Sequence, residues 1–82
     1  MQEDIGSVLP LSLASSGTDL AVVSIRGNDR QRTFLESLGF VPGSNIRVVS
    51  SVSGNLIIEV RDTRIALGRE LAVKVMVLEG EV

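Results

Sequence analysis

Eighty-two residues with 44% hydrophobic content and a net charge of −2 make one small globular domain, which excludes intrinsic disorder and lacks the basic footprint of a nucleic-acid binder. The chain has neither cysteine nor histidine, which removes a disulfide framework, a thiolate metal site and the usual nucleophile–base pairs. Phe34 and Phe40 are its only aromatics, so the interior is built from Val, Ile and Leu, and neither a proline-peptide groove nor a base-stacking surface can be assembled.

The start, Met1-Gln2-Glu3-Asp4, is acidic where a secretory signal needs positive charge. Residues 1–9 show no period and read as a flexible lead-in, leaving 10–82 as the folded domain. Pro10 to Leu13 alternates weakly, as a short first strand would, and Ser15-Ser16-Gly17 is a turn. Leu20 to Arg26 follows as a half-buried strand, with Ala21, Val23 and Ile25 on one face and Leu20, Val22, Ser24 and Arg26 on the other. The apolar run Leu20 to Val23 is far shorter than the roughly 18–20 residues that span a bilayer, so any membrane connection would come through a partner. A cysteine-free chain of this kind fits a reducing cytoplasm.

Gly27-Asn28-Asp29 breaks the strand and offers helix caps. A short helix over about 29–38 follows, with Phe34, Leu35 and Leu38 on one side. Gly39 stands where a left-handed residue closes a helix, which would fold Phe40 back toward Leu35. Val41-Pro42-Gly43-Ser44 has the chemistry of a type II turn.

The second half is all β. Asn45–Ser51 turns Ile46 and Val48 to one face, with Arg47 and Val49 on the other. Leu56–Arg61 returns with Leu56, Ile58 and Val60 inward, after a turn at Val52-Ser53-Gly54-Asn55. Asp62-Thr63 connects to Arg64–Leu67, with Ile65 and Leu67 inward, and Gly68-Arg69-Glu70 forms a single turn. Val73–Leu78 ends the domain with Val73, Val75 and Val77 on the core face. The expected fold is mainly β, a small closed or nearly closed barrel of five or six short strands with one short helix; closure would remove aggregation-prone edges.

The helix-end and turn run Arg32-Thr33-Phe34-Leu35-Glu36-Ser37-Leu38-Gly39-Phe40-Val41-Pro42-Gly43 resembles the FeoA family, whose pattern has a helix ending in Leu-Gly-hydrophobic and a Gly-closed turn. So does the later run Arg64-Ile65-Ala66-Leu67-Gly68-Arg69-Glu70-Leu71-Ala72-Val73, an Ile-Ala-Leu strand entering a Glu-x-Ala turn. The shared motif residues are Leu35, Leu38, Gly39, Phe40, Pro42, Gly43, Ile65, Ala66, Leu67 and Ala72. The resemblance covers about Pro10 to Leu78 and implies an SH3-like barrel. It also implies a non-enzymatic accessory role in ferrous-iron uptake, through the cytoplasmic part of the membrane permease FeoB. Similar barrels close the C-terminus of iron-dependent repressors; that alternative, a regulatory domain, wants an attached helix-turn-helix and a metal-binding domain.

No catalytic, cofactor or metal residue is expected. Lys74, the sole lysine, lies on a strand's outer face, so a Ser–Lys pair has no place to form. Glu36, Glu59, Asp62 and Glu70 lack the offsets of a binding loop, and ferrous iron prefers imidazole together with carboxylate. Gly39 and Gly43 follow the helix instead of preceding it, which is wrong for a phosphate loop. Arg30 and Arg32 sit at the helix start, against the favoured sign of the helix dipole, and are the candidates for docking on an acidic partner. Val22, Val49, Ile57 and Met76, on the second faces of their strands, either form an exposed docking patch or lie beneath the lead-in or the helix.

Overall fold

The computed structural model describes the fold over residues 7–79. Six antiparallel strands form one sheet: β1 (Ser7–Pro10), β2 (Asp19–Ile25), β3 (Asn45–Val52), β4 (Asn55–Val60), β5 (Thr63–Gly68) and β6 (Val75–Glu79), in spatial order β1-β6-β2-β3-β4-β5. Helix α1 (Asp29–Ser37) joins β2 to β3, and a helical turn α2 (Arg69–Ala72) joins β5 to β6. The sheet coils around a core that includes Leu20, Leu35, Phe40, Val48, Ile58, Val60, Val75 and Val77. β1 and β5 end the sheet without pairing with each other. Between them, α2 packs against β4, β5 and a 3₁₀ turn at Leu11–Leu13, so two short helical pieces cover part of the gap that the strands leave, while Thr63, Arg64 and Ala66 of β5 stay exposed.

The helix end follows its local sequence. Asn28 caps α1: its side chain accepts from the Gln31 N–H at 2.8 Å, and the Gln31 side chain accepts from the Asn28 N–H at 3.1 Å, a reciprocal capping box. At the other end the Gly39 N–H donates to Glu36 O at 3.0 Å and the Phe40 N–H to Leu35 O at 3.1 Å, the paired bonds of a Schellman motif. The Ser44 N–H closes the Pro42-Gly43 turn on Val41 O at 2.9 Å. The same turn is stapled to β2, because Gly43 N–H donates to Val22 O and Val22 N–H to Ser44 O. Replacing Asn28 by Ala removes one half of the box directly; a loss of about 1 kcal/mol in urea unfolding is expected.

Several faces differ from the periodic reading. In β2 the buried residues are Leu20 and Val22, while Val23 is exposed and Ala21 and Ile25 are half-buried. Leu20 and Val22 face inward by plain alternation, and a β-bulge between Val22 and Ser24 then reverses the parity, so Ile25 returns toward the core. Val22 is thus interior. Phe34 is 49% exposed, because α1 docks through fully buried Leu35 and half-buried Leu38 and turns its neighbour outward. Val73 is the C-cap of α2 instead of a strand residue, and it is exposed.

The first strand also lies earlier than expected. Residues 1–6 of the lead-in fall outside the described residues, but Ser7–Pro10 pairs with β6, and Leu11–Leu13 turns as 3₁₀ and buries Leu11 completely. The turn at Gly68-Arg69-Glu70 extends into α2, which buries Ala72.

Candidate partner-binding surface

Two hairpins, with a bulge in β3, set the register of β3, β4 and β5. Val52 and Asn55 flank a two-residue turn in which Ser53 and Gly54 both have positive φ, and Val60 and Thr63 flank another in which Arg61 (φ 53°) and Asp62 (φ 64°) do. Positive φ at both central positions is the twist a tight hairpin needs, normally supplied by Asn-Gly or Asp-Gly. Arginine adopts it at a cost of about 1 kcal/mol or more. The Arg61 side chain lies over Gly39, its Nε 3.8 Å from where a Cβ on that glycine would stand. A cation therefore sits beside the C-terminus of α1, where the helix dipole favours it.

With these registers, Asp19 of β2 stands opposite Arg47 of β3, Arg47 opposite Glu59 of β4, and Glu59 opposite Arg64 of β5. The row alternates in sign across four strands. Its first pair is a contact: Arg47 Nε and Nη2 both reach Asp19 Oδ1 at 2.9 Å. As an exposed pair it contributes at most about 1 kcal/mol. Beside the row a shallow depression of about 540 Å³ opens, lined by Asp19, Asn45, Ile46, Arg47, Glu59, Arg61 and Asp62. Its lining offers donors and acceptors of both signs and no histidine or cysteine. Among the described residues no three or more carboxylates converge as metal ligands would. The chemistry available is ionic recognition.

The residues expected to contact a partner do not lie together. Val22 is 2% exposed and belongs to the core, so it offers nothing to the surface. Val49 is the extra residue of a second bulge, between the Val48–Ile58 and Ser50–Ile57 pairs, and both Val49 and Ile57 are half-buried. Half-buried Met76 is on β6, opposite Pro10 and Ser24. Arg30 and Arg32 are exposed on α1, where Arg32 Nη1 pairs with Asp29 Oδ1 at 3.4 Å. Of the motif residues, Leu35, Phe40, Leu67 and Ala72 are buried, Leu38 and Ile65 pack against the core, Gly39, Pro42 and Gly43 shape the helix end and turn, and Ala66 is exposed. Glu59 and Asp62 both line the depression, but with Arg47 and Arg61 among them, which works against a cation.

Sequence reasoning missed two surface features. One is the charge row, which needs the pairing partners of four strands; the Ser53-Gly54 turn alone would set Arg47 opposite Val60, and the bulge at Val49 moves it opposite Glu59. The other is an apolar row on the outer face, Val8–Leu78–Ala21, which exists because β1 pairs with β6. Val8 and Leu78 are both exposed. Alternation at Val8 was the available signal, too short to register.

Residues 9–79 match the family model of the FeoA domain. Over 72 residues the chain is 35% identical to a protein of Methanocaldococcus jannaschii provisionally named Fe(2+) transport protein A, covering 88% of each. A crystal structure of an iron uptake regulatory protein, FeoA, superposes with a TM-score of 0.83 at 41% identity, covering 89% of this chain and 97% of that one. FeoA of Stenotrophomonas maltophilia, solved with zinc and described as a prokaryotic SH3 domain protein, gives 0.73 at 33% identity, covering 82% and 86%. The repressor ScaR with bound Cd²⁺ gives 0.78 at 26% identity, but the match covers 85% of this chain and only 35% of ScaR. The barrel is SH3-like.

Proposed function

Because this chain belongs to the FeoA family, we propose that it is a non-enzymatic accessory of ferrous-iron uptake. It docks on the cytoplasmic part of the FeoB-type permease and modulates transport, working in the cytoplasm and reaching the inner face of the membrane through that partner. Iron is the transported substrate of the assembly and not a resident ligand of this domain. Among the described residues no helix is long and apolar enough to cross a membrane.

The observation that carries this reading is the character of the surface. It carries a sheet row of alternating charge, exposed arginines on α1 and scattered exposed aliphatics, and among the described residues no three metal-ligating side chains converge. Such a surface recognises another macromolecule by electrostatic complementarity. The regulatory alternative draws on the likeness to ScaR. Similarity favours the accessory reading, with a TM-score of 0.83 at 41% identity to the FeoA structure against 0.78 at 26% to ScaR.

The test is retention of the purified chain on immobilised cytoplasmic segments of the permease, repeated with Arg30 and Arg32 both reversed to glutamate. Acidic residues near a helix N-terminus are electrostatically favourable, so the double variant keeps its fold. Retention of the wild type and its several-fold loss in the variant are expected. Absence of wild-type retention would refute the docking, and equal retention would remove Arg30 and Arg32 from it.

A further inference from the structure

The sheet has two ends, and they are not equivalent. β1 ends in Pro10, which has no N–H to offer, and it is four residues long. Proline and brevity are how edge strands avoid further pairing. β5 is six residues long, Thr-Arg-Ile-Ala-Leu-Gly, contains no proline, and among the described residues has β4 as its sole strand neighbour. Because the Arg61-Asp62 connection is a two-residue hairpin, the flanking pair Val60–Thr63 exchanges both backbone bonds, and the alternation continues with Ile58–Ile65 and Leu56–Leu67. The N–H and C=O groups of Arg64 and Ala66 consequently point away from β4. Among the described residues, no backbone hydrogen bond of a turn, loop or cap involves Arg64 or Ala66. Thr63, Arg64 and Ala66 are all exposed.

The side chains at this edge say what would complete it. The row Asp19–Arg47–Glu59–Arg64 runs minus, plus, minus, plus and stops at the free edge on a cation. The next row, two residues along β5, ends on the apolar pair Ile57–Ala66. A strand added beside β5 would place one residue opposite Arg64 and another, two positions away, opposite Ala66. An acid at the first position continues the alternation, and an aliphatic at the second continues the apolar row.

We infer that the β5 edge is a strand-addition site for an extended partner segment carrying an acidic residue and, two positions away, an aliphatic one. Backbone bonds to Arg64 and Ala66 supply the attachment, and the Arg64 row supplies the selectivity. A second copy of this chain fits less well: β5 paired on itself about Ile65 sets Arg64 against Ala66 and brings no acid. The inference rests on the docking reading only for which protein supplies the segment.

The full chain, immobilised, is used to select from a displayed library of random twelve-residue peptides. In parallel, amide hydrogen exchange is followed on the chain with the selected peptides and with the purified cytoplasmic region of the permease. Selected peptides are expected to share the acid-x-aliphatic spacing and to protect the Arg64 and Ala66 amides. Arg64→Glu should weaken their binding about tenfold. Ala66→Pro, which deletes an outward N–H while sparing the β4 ladder, should weaken it similarly; if that variant fails to fold, Arg64→Glu and the exchange pattern decide. The inference is overturned by peptides that lack the acid, by unchanged affinity of Arg64→Glu, by β5 amides that stay unprotected, or by their protection through self-association as chain concentration rises. The peptide arm decides the inference, and the permease arm decides the docking reading.

Discussion

Gly39→Val should destabilise the domain by about 2–5 kcal/mol, a fall in melting temperature of roughly 8 °C or more for a domain of this size. Two independent costs add. Gly39 has φ +108°, a conformation that side-chain-bearing residues adopt only with strain, at about 1–2 kcal/mol. A Cβ there would also stand 2.8 Å from Val60 Cγ1, inside the packed core, and overpacking of this kind costs about 1–3 kcal/mol. Gly43→Ala is the control. Gly43 also has positive φ (+92°), but a Cβ there meets nothing within 4 Å, so its loss should be limited to the backbone part, about 1–2 kcal/mol. Thermal unfolding of the two variants separates the contributions. Equal losses would mean that the close approach of Val60 and Arg61 to the helix end has no energetic weight.

Phe40→Ala should cost about 3–5 kcal/mol, the usual range for deleting a buried aromatic. Phe40 is fully buried, and it is the only aromatic side chain in an otherwise aliphatic core. Domains of this kind hold roughly 5–15 kcal/mol in total, so the variant would retain a small margin or unfold. Phe34→Ala, six residues earlier in the chain, should change stability by less than about 1 kcal/mol, because half of that side chain already faces solvent. Chemical denaturation of the pair checks the assignment, and comparable losses would contradict the docking of α1 through Leu35 and Leu38.

How much of this was legible in the sequence depends on the range of the interactions. Helix α1 was read with its ends because the signals are local: the Asn28-Asp29 cap candidates, Leu38-Gly39-Phe40, and Pro42-Gly43 act over a few residues, although the Gln31 half of the capping box was not read. The inward residues of β4 and the Val75 and Val77 positions of β6 followed from alternation. β2 misled because both of its faces are apolar, so the alternation carried no sign, and the bulge at Val22–Ser24 then changed the parity. Val73 misled by continuing a valine-rich alternation into what is a helix cap. β1 escaped because four residues ending in proline gain their strand character only from β6.

The site was less legible than the fold. Arg30 and Arg32 are exposed, as docking residues must be, but the apolar residues grouped with them were assigned by strand face alone. Val22 therefore fell into the core, and Met76 fell on a different part of the sheet from Val49 and Ile57. The charge row has no trace in any single stretch, because Asp19, Arg47, Glu59 and Arg64 become neighbours only through three separate strand pairings. The positive φ of Arg61 was equally hidden, since arginine carries no turn preference that would announce it.

The central claim is that this domain serves iron uptake by holding a protein and not by holding iron. Calorimetric titration tests it most directly, with the purified chain titrated first with the cytoplasmic region of the permease and then, separately, with Fe²⁺ under anaerobic conditions. A saturable heat with the protein region, and with Fe²⁺ only the weak response of scattered surface carboxylates, is the predicted result. A stoichiometric, micromolar Fe²⁺ site in the isolated chain, without any heat from the permease region, would contradict it.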